Sequence, residues 1–176
     1  MTRSNTRLAL LATIVVAGAC GPSQHDAQTA IKEAEGAITA QHADAIRYAP
    51  DAFTALMAGY DTAKTAFDAR DYRKAVAAAH QVTARARRDL SAAIRTAKQQ
   101  MAQRLTVLRD SVQQMITALD KRVGPRGQTR AELDSLKASM TKALAAEQRG
   151  DVADALHAVM RLQTDATALT RKVGIK

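Results

Sequence analysis

The sequence predicts an all-α protein, and three observations carry that reading. Alanine supplies 39 of the 176 residues, while aromatic residues make up only 3% and tryptophan is absent; alanine is the strongest intrinsic helix former. Apolar residues recur in alternating steps of three and four along most of the chain, the spacing of one helix face packed nearly parallel to its neighbours. From Tyr72 to Arg122 there is neither glycine nor proline, which permits one helix of about 75 Å at 1.5 Å per residue. The expected architecture is five helices, one of them long and shared, arranged as two tandem three-helix bundles. The alternative is one compact bundle in which the long helix breaks near residues 97–105.

Ala27, Ile31, Ala34, Ile38 and Ala45 predict a first helix over about residues 25–46. Tyr48-Ala49-Pro50 ends it, because proline disfavours helical geometry in the preceding residue yet suits a first turn. A second helix follows from Pro50, with Phe53, Leu56, Tyr60, Ala63 and Phe67 as its seam. Arg70-Asp71 makes a turn, with Asp71 suited to an N-cap. The long helix carries Val76, Ala79, Thr83, Ala86, Leu90, Ala93, Ala97, Met101, Leu105, Leu108, Val112, Met115 and Leu119. Two steps of four follow in succession at Ala97, Met101 and Leu105, a stutter that marks the expected join between bundles.

Val123-Gly124-Pro125-Arg126-Gly127 ends the long helix, and Thr129 with Glu132 fits a capping box for the next. That helix carries Leu133, Leu136, Met140 and Ala143. Gly150 suits a left-handed cap and Asp151 an N-cap before a last helix with Val152, Ala155, Val159, Leu162, Ala166, Leu169 and Val173. At an offset of 80 residues Phe53, Leu56, Tyr60, Ala63, Asp71 and Ala75 fall on Leu133, Leu136, Met140, Ala143, Asp151 and Ala155. Seam and turn residues match together, as in an internal repeat.

The amino-terminal region has the anatomy of an export signal. Arg3 and Arg7 precede an uncharged run from Leu8 to Ala19, too short for a membrane span of about 20 residues. The run meets the single cysteine in the sequence "VAGAC", which resembles a bacterial lipobox, with Ala17 where leucine is usual. The resemblance implies acylation of Cys20 and its exposure as the mature amino terminus. At about 0.8 kcal/mol per buried methylene, two or three acyl chains hold a protein firmly on a membrane. The expected organisation is a lipoprotein signal over 1–19, a lipidated amino terminus and tether over 20–25, a first bundle over 26–97 and a second over 98–176. One cysteine leaves no disulfide, so stability rests on packing.

The formal net charge is +9. Seven cations, Arg85, Arg87, Arg88, Arg95, Lys98, Arg104 and Arg109, lie on the long helix with Asp89 among them. They are the candidate anion-binding residues, set against the simpler reading of a solvated helix face. Export directs such charge to envelope polyanions rather than nucleic acid. No catalytic residue, cofactor or metal is expected. His25, His42, His80 and His157 lack the spacing of a metal motif, the six methionines suit core filling, and the scattered glycines form no phosphate loop.

Gly36-Ala37 in an alanine-rich first helix, the Tyr48-Ala49-Pro50 step, a second alanine-rich helix and Asp71-Tyr72 with Ala75 make residues 27–97 resemble a family of short bacterial envelope lipoproteins of unknown function. The resemblance implies a secreted or lipid-anchored helical module and supplies no catalytic residues. The combined expectation is a lipid-anchored protein of the cell envelope, on the outer membrane and facing the periplasm. It would act as a non-enzymatic binding or spacer module touching anionic envelope material, or as an adaptor docking a partner protein on its helices.

Overall fold

A computed structural model describes residues 21–174. The expected signal over 1–19 and Cys20 lie outside the described residues. The described chain is all-helical, without strands. Its elements are α1 (Gln24–Thr39), α2 (His42–Tyr48), α3 (Pro50–Asp68), α4 (Tyr72–Arg85), a π-helical turn (Ala86–Leu90), α5 (Ser91–Arg122), α6 (Gln128–Gln148) and α7 (Val152–Val173). No helix among the described residues is long and apolar enough to cross a membrane.

The helix count departs from five because the expected first helix divides. Ala40 caps α1, Gln41 leaves helical geometry with φ −119° and ψ 1°, and α2 restarts at His42. Nothing in the apolar spacing announces this kink, since Ile38 and Ala45 are both buried on either side of it. The Tyr48-Ala49-Pro50 step falls where expected, with Pro50 opening α3. Residues 72–122 form one unbroken helical run through α4, the π turn and α5, so the alternative of a break near residues 97–105 is not what the chain adopts.

The irregularity in that run sits upstream of the expected join. Buried residues progress through Ala75, Ala79, Val82 and Ala86, then take two successive steps of four to Leu90 and Ile94. Each such step overshoots a full turn of the α-helix by about 40° at 3.6 residues per turn. The π turn, which winds less per residue, brings the stripe back onto the same side. The stutter at Ala97–Leu105 instead passes through regular α-helix, with Ala97 and Met101 half-buried and Leu105 buried.

Two main cores lie along the long helical run. The first gathers Ala30, Ala34, Ile38, Leu56, Ala63, Ala79, Val82, Leu90 and Ile94, with α1 and α3 both packed on α4; a satellite of Ala27, Ala66 and Ala75 closes its near end. The second gathers Leu105, Val112, Ile116, Leu119, Leu133, Leu136, Met140, Leu156, Val159, Leu162 and Leu169, with α5 and α6 both packed on α7. Met101 touches both cores.

The turns that connect α3 to α4 and α6 to α7 share one geometry at the 80-residue offset. Arg70 and Gly150 take positive φ, 61° and 83°. The amide of Asp71 donates to the Ala66 carbonyl at 2.9 Å and that of Asp151 to the Ala146 carbonyl at 3.0 Å, the six-to-one bond of a Schellman turn. Asp71 also caps α4 by accepting from the Lys74 amide at 3.1 Å, whereas Asp151 occupies its N-cap position without such a bond. The expected Thr129–Glu132 capping box does not form. Gly127 is the N-cap residue of α6, and Glu132 pairs instead with Lys172 at 2.8 Å.

The start of α1 lies beside the start of α4, since Ala27 packs with Ala75 and the half-buried Tyr72. At the other end Thr167 reaches the Met115 sulfur and Lys172 reaches Glu132, so α7 finishes beside the end of α5. Ser23 and residues 122–128 therefore mark opposite ends of a molecule whose long helical run spans about 75 Å.

Candidate functional site

The seven expected cations occupy the long helical run, where they do not form one stripe. Arg85 ends α4 and lines a shallow groove with Ala55, Leu56 and Gly59 of α3. Arg87 and Arg88 lie in the π turn, and Arg95, Lys98, Arg104 and Arg109 follow in α5. Lys98 points toward α2, with its ammonium 2.8 Å from Asp44 Oδ2 and 4.8 Å from the centre of the Tyr48 ring. Arg109 points toward the end of α6, reaching Glu147 at 3.3 Å and Asp110 at 3.1 Å. At about 100° per residue Lys98 and Arg109 fall on one side of α5, whereas Arg95 and Arg104 stand about half a turn apart, which separates the flanks that carry these cations.

Three of the seven are partnered. Arg88 donates to Asp89 at 2.7 Å, which raises the Arg88 pKa and lowers that of Asp89. Hydrogen bonding to Asp110 and the nearby Glu147 carboxylate raise the pKa of Arg109. Arg85, Arg87, Arg95 and Arg104 are exposed and make no ion pair among the described residues. An exposed guanidinium with no carboxylate in reach is a fixed positive charge available to an anion, with electrostatic attraction screened beyond about 10 Å at 0.1 M salt.

The sequence did not single out the cluster where the two cores meet. Arg47, at the end of α2, is 4.0 Å from Asp151 and pairs with Asp154 of α7; the Asp154 bond raises the Arg47 pKa. Arg47 also stands 5.8 Å from the centre of the buried Tyr48 ring, which Lys98 approaches as well. Ala153 of α7 joins the first core. One aromatic ring with two cations, braced by carboxylates from α2 and α7, ties the first core to the second.

A second polar contact explains how the π turn is tolerated. Widening a helix disturbs its carbonyl pairing, and Gln41 Nε2 donates to the Ala86 carbonyl at 2.9 Å. The Ser91 hydroxyl donates to Gln41 Oε1 at 2.8 Å. The residue that kinks α1 away from α2 thus stabilises the irregular turn of the neighbouring helix. Its sequence signal was a polar residue in an apolar pattern, visible only once its partner 45 positions away is known.

The four histidines are exposed, and His42 packs edge-on to Phe53 with ring centres 5.3 Å apart. Among the described residues no three His, Cys, Asp or Glu side chains are grouped to hold a metal. Comparison with known proteins finds no matching family model, curated protein or solved structure.

Proposed function

We propose that this chain is a lipid-anchored protein of the cell envelope, facing the periplasm from the outer membrane and working as a non-enzymatic binding or spacer module. The observation that carries the reading is "VAGAC" placed just before a helical rod. Three residues, Gly21 to Ser23, lie between Cys20 and Gln24, a reach of at most about 14 Å of extended chain. Ser23 and Asp26 then pin the first turn of α1, the Ser23 amide donating to Asp26 Oδ2 at 2.8 Å and the Asp26 amide to Ser23 Oγ at 3.2 Å. An acylated Cys20 would hold one end of the rod at the bilayer and direct the other about 75 Å away. The architecture is read as two tandem three-helix bundles sharing the long helix. The resemblance of residues 27–97 to short envelope lipoproteins agrees with this assignment.

Contact with anionic envelope material falls to Arg85, Arg87, Arg95 and Arg104, the unpartnered members of the basic stretch. The decisive measurement is the mass of the mature amino-terminal peptide. A diacylated or triacylated peptide beginning at Cys20 supports the anchor, and an unmodified Met1 or a free Cys20 thiol removes it. The adaptor reading has its own support in the exposed Ile46, Val107 and Met160, and in-cell crosslinking distinguishes it: one stoichiometric protein partner favours the adaptor.

A further inference from the structure

The two ends of the rod differ in charge, and the difference is largest where the sequence analysis placed no site. At the end formed by the last turn of α5, residues 123–127, the first turns of α6 and the last turn of α7, three carboxylates are present: Asp120, Glu132 and Asp134. All are committed. Asp120 pairs with Arg130 at 2.8 Å and Lys137 at 2.7 Å, Asp134 with Arg130 at 3.2 Å, and Glu132 with Lys172 at 2.8 Å. Hydrogen bonds from Lys137 and Arg130 hold the Asp120 pKa below its ordinary value, so it remains an anion bound within the protein. Lys121, Arg122, Arg126 and Arg171 are exposed and have no ion pair among the described residues. By contrast, around Ser23 and the α3–α4 turn the acids Asp26, Asp68 and Asp71 stand against Arg70, Arg73 and Lys74.

We infer that this far end is a docking surface for a carboxylate-bearing polymer of the cell-wall type. The cations are spread over two helix ends and a loop, which suits separated charges on a meshwork. Helix carboxyl termini favour cations near them, so Lys121 and Arg122 in the last turn of α5 and Arg171 in the last turn of α7 stand there without cost to the fold. An interfacial membrane binder combines cations with apolar residues that enter the lipid. The exposed large hydrophobics, Ile46, Val107 and Met160, lie elsewhere on the rod, which favours the polymer over a bilayer. The inference rests on the envelope reading for its partner, while the charge asymmetry stands on the structure alone.

The test uses the full-length protein in nonionic detergent, sedimented with purified peptidoglycan sacculi at about 50 and 200 mM salt, a range over which charge-driven binding to polyanions weakens strongly. One variant carries Lys121, Arg122, Arg126 and Arg171 changed to Gln; a second, matched in charge, carries Lys32, Arg70, Arg73 and Lys74, exposed cations toward the other end, changed to Gln. The far-end variant is expected to lose roughly tenfold or more in affinity, as four exposed charge contacts multiply, with the second variant falling less than about twofold. Equal losses, or none in the far-end variant with an unchanged melting curve, overturn the inference. Micelles doped with phosphatidylglycerol that displace the protein as well as soluble poly-glutamate does overturn the polymer in favour of lipid. Acylation plays no part in this assay, so binding by the far end with a free Cys20 thiol would discard the tether and keep the surface.

Discussion

The two cores share a plan and differ in what fills them. In each, two helices flank a third that runs away from a Schellman turn, and the turns match at the 80-residue offset. Alanine supplies most of the first core and its satellite, from Ala27 to Ala86, whereas the second relies on Leu105, Leu119, Leu133, Leu136, Leu156 and Leu162. Small side chains bring helices close: a Cβ added at Gly59 of α3 would meet Val82 Cγ2 at 3.2 Å. Large ones bury more apolar area per residue, at about 25 cal/mol per Å². The same topology is thus held by close approach in one half and by interdigitation in the other.

Opposite substitutions should therefore damage the two halves. Leu119→Ala, at a fully buried position in the second core, should cost about 2–5 kcal/mol through lost burial and a cavity. Ala79→Leu, at a fully buried position in the first, should cost about 1–3 kcal/mol by overpacking. Urea denaturation measures both, and similar costs for Ala79→Leu and a matching insertion at Ala155 would show that the first core is no tighter than the second.

The next effect lies at the π turn, which the second half lacks. Gln41→Ala removes the 2.9 Å donor to the Ala86 carbonyl, which keeps only the longer bond from the Ser91 hydroxyl at 3.3 Å, and should cost about 1 kcal/mol. Hydrogen exchange should show the loss concentrated around Ala86–Leu90, and a uniform loss would argue against the latch.

The matched turns provide a smaller test. Arg70 holds a positive φ that a side chain disfavours, while Gly150 adopts it freely. Arg70→Gly should gain up to about 1 kcal/mol and Gly150→Ala should lose about 1 kcal/mol. Thermal melts of the two variants should move in opposite directions.

The smallest effect is electrostatic and belongs to the second half. Hydrogen bonds from Lys137 and Arg130 hold the Asp120 carboxyl below the ordinary aspartate range. A carboxylate whose folded pKa is depressed contributes stability above its unfolded pKa, and that contribution disappears as pH falls through the folded pKa. Asp120→Asn should lower the melting temperature slightly near neutrality and converge with the parent as pH falls through the lowered folded-state pKa of Asp120. A constant difference at all pH values would assign the effect to packing instead.

Much of this was legible in the residues. The long helix followed from the absence of glycine and proline over residues 72–122, and the Tyr48-Ala49-Pro50 step and the turns at Asp71 and Asp151 followed from local backbone chemistry. The kink at Gln41 was not, because its compensation is a hydrogen bond to Ala86, distant in the chain. The basic stretch was legible as a set of residues but its pairing was not: Lys98 and Arg109 find carboxylates on α2 and α6, partners that spacing along one helix does not reveal.

By itself, the sequence determined what short-range sterics and periodicity control: helix content, the uninterrupted run, the turn positions and the faces that turn inward. Only the tertiary structure decided where the phase slip is absorbed, which cations remain unpartnered and which ends of the helices coincide. Those outcomes depend on contacts between different helices, such as Asp120 with Lys137, 17 positions apart, and Asp44 with Lys98, 54 apart, and the geometry of such contacts exists only after the helices have packed.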